Sequence, residues 1–124
     1  MIFDDEREEA KFAGSLIAML PKSVRIGGFD FRIEIMTTAA AASASRYGEC
    51  SSVKQTISVQ EWMASRYKCV DTVVHEIAHA MYWAYDIKDD DKEERIICAM
   101  GSGWMAFYRD NPWFLDWVKS ACLA

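Results

Sequence analysis

Alternating apolar and polar positions mark the strands of this chain. Residues 29–35 read FDFRIEI, in which apolar and charged positions alternate without a break, and this pattern predicts a half-buried strand. Residues 24–26 (VRI) precede it across the turn Gly27-Gly28, which predicts a hairpin. A further strand or hairpin is predicted over 47–50 and 53–59. Because Lys54 and Ser58 give the second segment a polar side, we expect it at an exposed sheet edge.

Helical spacing of apolar residues covers most of the remaining chain. The first helix, with Asp4 or Asp5 as its N-cap, is predicted to run to about Met19. Residues 37–45, rich in alanine and serine, fit a short helix or an irregular crossing equally well, and residues 60–68 fit a loop with one helical turn. Three more helices are predicted: about Cys69 to Tyr85, Glu93 to Tyr108, and a last one with Asn111 as N-cap and Pro112 at its first position.

Together these elements predict one α+β domain over residues 1–124, with a small antiparallel or mixed sheet and helices packed on it. The hydrophobic fraction of 52% is enough for one compact core. The net charge of −5 argues against nucleic acid as a partner. No apolar run is long enough for a membrane span, and the acidic N-terminus does not resemble a signal peptide.

Cysteine usage points to a reducing compartment. The chain has four cysteines, Cys50, Cys69, Cys98 and Cys122, with no C-x-x-C pair among them. We therefore expect four unpaired thiols and a cytoplasmic location.

The sequence His75-Glu76-Ile77-Ala78-His79 lies inside a predicted helix and contains both histidines of the chain. Residues four apart share a helix face, so two imidazoles at this spacing can bind one zinc ion. Glu76 between them is suited to act as a general base toward a water on that ion. The alternative is a histidine pair packed in an ordinary core.

A catalytic zinc has three protein ligands, so a third one must lie elsewhere. The chain has no other histidine, and the next predicted helix begins with Glu93-Glu94. We expect Glu94 to be the third ligand, because Cys98 and Gly101 on its face would allow close helix packing. Glu93 is the alternative, and both glutamates also suit a solvated helix N-terminus.

Further groups near the motif are predicted to assist. Asp71, one turn before His75, is expected to orient an imidazole or else to act as a helix N-cap. Tyr47, Tyr82 and Tyr85 are candidates for stabilising charge in a transition state. The strand at 53–59 is expected to bind an extended peptide by edge pairing.

The HExxH motif followed by a glutamate on the next helix resembles the gluzincin branch of zinc metallopeptidases. In particular, the chain is similar to the small HExxH proteins of bacteriophages and prophages, to the minigluzincins and to the ImmA/IrrE-like peptidases. The similarity extends over residues 75–80, 93–97 and 107–112, with residues 31–34 and 47–49 upstream. It implies a zincin-like fold with the motif on a central helix, zinc bound by His75, His79 and the later glutamate, and Glu76 as base.

These observations predict a zinc metallopeptidase that acts on a protein or peptide substrate, in the host cytoplasm if the protein is viral. A first alternative is a zinc-binding protein without catalysis, used in phage assembly or in protein contacts, since 124 residues leave little wall for a cleft. A second alternative is a metal-free interaction module, which the tryptophans near the C-terminus favour.

Overall fold

The structure is a computed structural model that describes residues 5–44, 46–88 and 92–123, except for the side chains of residues 44, 93, 97 and 98. Within these residues the elements follow in the order α1 (Glu6–Ala18), β1 (Ser23–Ile26), β2 (Phe29–Met36), α2 (Thr38–Ala44), β3 (Gly48–Ser51), β4 (Thr56–Gln60), α3 (Arg66–Ala84), α4 (Glu93–Asp110) and α5 (Trp113–Leu123). The α+β class predicted from the sequence is confirmed.

The four strands form one mixed sheet in the order β1-β2-β4-β3. Neighbouring strands are antiparallel except for β2 and β4, which are parallel. The predicted edge at 53–59 is wrong, because β4 lies inside the sheet and residues 52–55 form a turn. Thr56 and Gln60 of β4 are buried although they are polar. The polar residues of this segment therefore did not indicate an exposed strand.

The helix α3 packs on the sheet and provides the centre of the core. Its buried apolar face meets the buried side chains of the strands, where Phe31, Ile57 and Val59 contribute. On the helix this face consists of Cys69, Val73, Ile77, Ala80 and Met81. Burial of these side chains is the main favourable term for holding α3 in place.

The helix α3 begins three residues earlier than predicted, and its first turn is joined to α1 by an ion pair. Ser65 is its N-cap and accepts a hydrogen bond from the Lys68 amide. The buried Arg66 guanidinium donates to both carboxylate oxygens of Glu9, with Nε–Oε1 at 3.0 Å and Nη2–Oε2 at 2.9 Å. Such a bidentate ion pair fixes the relative orientation of the two side chains, and it joins helices that are distant in sequence.

The outer edge of β1 is covered by the side chain of Asn111, the residue that follows α4. Asn111 accepts a hydrogen bond from the Arg25 amide at 3.0 Å and donates to the Arg25 carbonyl at 2.6 Å. Asn111 was predicted to cap the last helix, and its side chain instead completes the hydrogen bonding of a sheet edge. This contact leaves β1 poorly suited to pair with another strand.

The structure bears on three further expectations. Residues 37–45, left open between helix and crossing, contain the short helix α2. Asp5 is the N-cap of α1, and Asp4 lies outside the described residues. Cys50, Cys69 and Cys122 are free thiols, as predicted, while the Cys98 side chain lies outside the described part.

Replacing Glu9 by Gln should lower the free energy of unfolding at pH 7, because Arg66 then stays buried without its counter-charge. Hydrogen bonds from Arg66 hold the pKa of Glu9 below its ordinary value. The pair therefore stabilises the fold above the pKa of the unfolded carboxyl, about 4.3. That contribution is lost as the pH falls through the lower folded-state pKa.

Urea unfolding of the wild type and Glu9→Gln between pH 7 and pH 3 measures this effect, with the exposed Glu8→Gln as the control on the same helix. The stability gap should close toward acid for Glu9→Gln. A gap that is independent of pH would contradict the assignment.

Candidate functional site

His75, Glu76 and His79 lie together on α3, as their spacing predicts. Nε2 of His75 and Nε2 of His79 are 3.1 Å apart. One ligand atom from each of the three residues lies within 4.8 Å of the others. Both histidines are exposed, whereas Glu76 is buried with 6% of its surface accessible. The arrangement therefore differs from a histidine pair packed in a core.

The two imidazoles fit the requirements of a zinc ion. Zinc–nitrogen bonds of about 2.0–2.1 Å in tetrahedral geometry place two nitrogen ligands about 3.3 Å apart. The observed separation of 3.1 Å is close to this value. A hydrogen bond from one neutral imidazole to the other gives a similar distance. The separation of the two nitrogen atoms therefore fits both a shared zinc ion and a direct hydrogen bond.

Glu76 is buried because β3 passes directly over it at Gly48. A Cβ added to Gly48 would lie 2.9 Å from Oε2 of Glu76 and 3.0 Å from Cγ2 of Thr72. A side chain at this position would require the neighbouring atoms to shift, so the close approach favours glycine. Burial raises the pKa of the Glu76 carboxyl, and charge on His75 and His79 acts against that shift. A carboxylate with a raised pKa is a stronger base near neutral pH.

A groove between α3 and β3 runs past this cluster. It consists of two adjoining cavities of about 270 Å³ and about 410 Å³ that share Arg46, Gly48, His75 and Glu76. The smaller cavity extends toward the start of α3, and its other lining residues are Tyr47, Lys68, Asp71 and Thr72. The larger extends toward the end of α3 and adds Glu49, Cys50, Ser52, His79 and Trp83.

The open edge of β3 borders the groove. Gln60 donates its amide hydrogen to the Tyr47 carbonyl at 2.9 Å. Hydrogen-bonded pairs alternate in an antiparallel ladder, so Glu49 is the next residue to bond β4. The amide and carbonyl groups of Gly48 and Cys50 then point away from the sheet. No other strand pairs with this edge among the described residues.

The same alternation can be checked at the opposite edge. Ile33 donates to the Lys22 carbonyl at 2.8 Å, which makes the backbone groups of Arg25 point outward. Asn111 forms its hydrogen bonds with those groups. The alternation of hydrogen-bonded pairs therefore correctly predicts which backbone groups of β1 point outward, because Asn111 bonds those groups.

The structure brings one of the three predicted tyrosines into the groove. Tyr47 lines the smaller cavity, with Nζ of Lys68 4.8 Å above its ring. Tyr85 lines a different cavity beside the Gly27-Gly28 turn and is not among the residues that line the groove. Tyr82 is half-buried and is not among the residues that line the groove.

Asp71 lines the smaller cavity but pairs with Lys68 across 3.6 Å. The described hydrogen bonds include none from Asp71 to a histidine, and the alternative role as an N-cap belongs to Ser65. Asp71 is therefore a charged residue that lines the groove.

The predicted packing around Glu94 differs from what the structure shows. A Cβ added to Gly101 would meet nothing within 4 Å, whereas one added to Gly103 would lie 2.8 Å from Sδ of Met81. The helices α3 and α4 therefore cross at Gly103, nine positions after Glu94 and on the opposite helix face. Glu94 is exposed and is not part of the cluster around His75. The side chain of Glu93 lies outside the described part.

Gly48 and Trp83 are two of the groove residues that the sequence analysis did not name as candidates. A glycine inside a strand signals close approach of another element, and the Tyr47-Gly48 pair carried that signal. Trp83 follows His79 by one helical turn, so helical spacing alone places it beside the motif.

Compared with known protein families, curated proteins and solved structures, the chain shows no match. No described helix is long and apolar enough to cross a bilayer.

Replacing Gly48 by Ala should destabilise the fold by about 1–3 kcal/mol, because the added methyl group overpacks a closed contact. Gly101→Ala is the matched control, since the space there is open, and removing a helical glycine should stabilise by up to about 1 kcal/mol. Denaturant unfolding of both variants measures the difference. Equal stability changes would contradict the close approach of β3 to α3.

Proposed function

We propose that this protein is a zinc-dependent peptidase that hydrolyses a peptide bond in an extended segment of a protein or peptide. The observation that carries the proposal is the buried carboxylate of Glu76 beside two converging imidazoles, at a sheet edge with free backbone groups. A zincin-like fold, with the motif on its central helix, is part of the same proposal.

His75 and His79 are the residues that would hold zinc, together with a glutamate from the first turn of α4. Glu94 was expected there and Glu93 is the alternative. Glu94 is exposed and is not part of the cluster of His75, Glu76 and His79. When bound, zinc supplies a Lewis acid that polarises oxygen atoms of water and substrate.

Glu76 has the position and the environment of a general base. Its carboxylate lies within 4.8 Å of the histidine nitrogens, and Gly48 limits where that carboxylate can move. We propose that it takes the proton from the attacking water and returns it to the nitrogen of the leaving amine. A fixed base of this kind needs no reorganisation during the reaction.

The substrate is proposed to pair with β3. The outward backbone groups of Gly48 and Cys50 offer a donor and an acceptor from each residue to an extended chain, which is recognition by strand addition. This edge borders the groove that contains Glu76. The binding strand is therefore β3 rather than the 53–59 segment expected from the sequence.

Burial of Glu76 supports a catalytic role over that of a purely structural metal site. Burying a carboxyl group costs free energy unless it is compensated, and a structural site gains nothing from it. The three described free thiols fit a reducing compartment such as the cytoplasm, which we propose as the location.

Removal of one imidazole should abolish zinc binding. We expect one zinc per chain in the wild type and none in His79→Ala, measured by mass spectrometry of the metal after purification without chelator. Glu93→Ala and Glu94→Ala serve as a matched pair. The variant that removes the third ligand should weaken zinc binding by at least about 100-fold, and the other should not. Equal zinc in wild type and His79→Ala would exclude the site.

Glu76→Gln should keep the fold and the zinc but lower the rate of peptide hydrolysis by about 10²–10⁴-fold, the usual contribution of a general base. A proteome-derived peptide library, incubated with both proteins with and without chelator, identifies the cleavage. Loss of zinc in Glu76→Gln would show that this carboxylate is a ligand instead. Cleavage by neither protein, with zinc present, would favour the non-catalytic zinc protein.

A further inference from the structure

Among the described residues that line the larger cavity of the groove, Trp83 is the one large exposed aromatic side chain, next to the metal-binding cluster. Trp83 is 42% exposed and lines the larger cavity together with His79. The other lining residues of that cavity are polar or charged, apart from Gly48 and Cys50. An isolated apolar surface inside a polar groove is a place where a ligand side chain gains by leaving water.

The indole ring is held in place from behind. Its centroid lies 4.8 Å from that of Phe29 and 5.8 Å from that of Phe31, in tilted and edge-on arrangements. Phe31 belongs to the buried core. Trp83 cannot turn away from the groove without giving up these contacts, so it is a rigid wall rather than a loose surface side chain.

The spacing along α3 matches that of an extended peptide. Trp83 follows His79 by four residues, which is about 6 Å along a helix axis. A residue of an extended strand covers about 3.3 Å. A substrate paired with β3 and crossing the cluster at Glu76 therefore brings a side chain to Trp83 within about two residues.

The course of β3 gives the direction. Gly48, at the start of β3, contacts Glu76, and Ser52, just after its end, lines the same cavity as Trp83. An antiparallel partner strand, the commoner pairing, runs the opposite way. Its residues on the N-terminal side of the reacting bond then lie toward Trp83.

We propose that Trp83 forms an apolar subsite for the aliphatic or aromatic side chain of a residue on the N-terminal side of the cleaved bond. The inference rests on the proposed peptidase function and specifies its substrate class. Trp83 acts as a specificity-determining residue, since it contacts a substrate side chain and takes no part in proton transfer.

The test uses two probes that differ only in this side chain, N-acetylphenylalanine hydroxamate and N-acetylglycine hydroxamate. The hydroxamate group binds zinc in both, so binding to the zinc-loaded protein can be measured by calorimetry without any turnover. The wild type should bind the phenylalanine probe about 10-fold more tightly. Trp83→Ala should lose this preference while its affinity for the glycine probe stays unchanged.

Tyr67→Ala is the matched control, because Tyr67 is another exposed aromatic residue of α3 and does not line the groove. It should keep the full preference, and Trp83→Phe should keep most of it. If Trp83→Ala does not fold, Trp83→Leu replaces it, since leucine still contacts Phe31 but presents less surface to the groove. A preference unchanged in Trp83→Leu overturns the subsite.

The outcomes separate this inference from the proposed function. Equal affinity of the wild type for both probes overturns the subsite and leaves the metal site standing. Failure of both probes to bind the zinc-loaded protein overturns the metal site and the subsite together. A preference that Tyr67→Ala loses as well would also overturn the assignment to Trp83.

Discussion

The contact between Gly48 and Glu76 is the constraint on which the site depends. Because Gly48 has no side chain, β3 lies against α3 closely enough that an added Cβ would be 2.9 Å from the carboxylate. The same approach buries Glu76, raises the pKa of its carboxyl group and narrows the groove between helix and strand. A larger residue at this position would move the strand edge and the Glu76 carboxylate together.

The helix that carries the motif is held at both ends by contacts distant in sequence. The buried ion pair between Arg66 and Glu9 fixes its first turn to α1, and the rings of Phe29 and Phe31 pack against Trp83 near its last turn. His75 and His79 lie between these two anchors. Side chains on a rigid element keep their relative positions when a ligand binds, as preorganised sites require.

Periodic patterns of apolar residues correctly predicted the strand and the helix that show a clear period in their own sequence. The alternation over 29–35 and the helical spacing around His75 both gave the observed elements. The edge position of 53–59 was wrong, because strand order depends on pairing partners and Thr56 is buried by neighbours that its own segment does not reveal. The crossing of α3 and α4 at Gly103 instead of Gly101 was missed for the same reason. The contact is made with Met81 on α3, and the sequence of α4 alone does not show which glycine faces it.

The two edges of the sheet differ in whether a side chain covers their backbone groups, and this difference bears on the proposed function. Free strand edges favour unwanted pairing, so proteins usually cover them. Asn111 covers β1 by bonding both backbone groups of Arg25, whereas no described residue bonds the outward backbone groups of Gly48 and Cys50 in β3. A purely structural zinc site would gain nothing from this exposed edge, but a peptidase needs an edge to hold its substrate extended. This edge, which no described residue covers, borders the groove that contains the buried Glu76 carboxylate. The coincidence supports the proposed peptidase over the non-catalytic alternative.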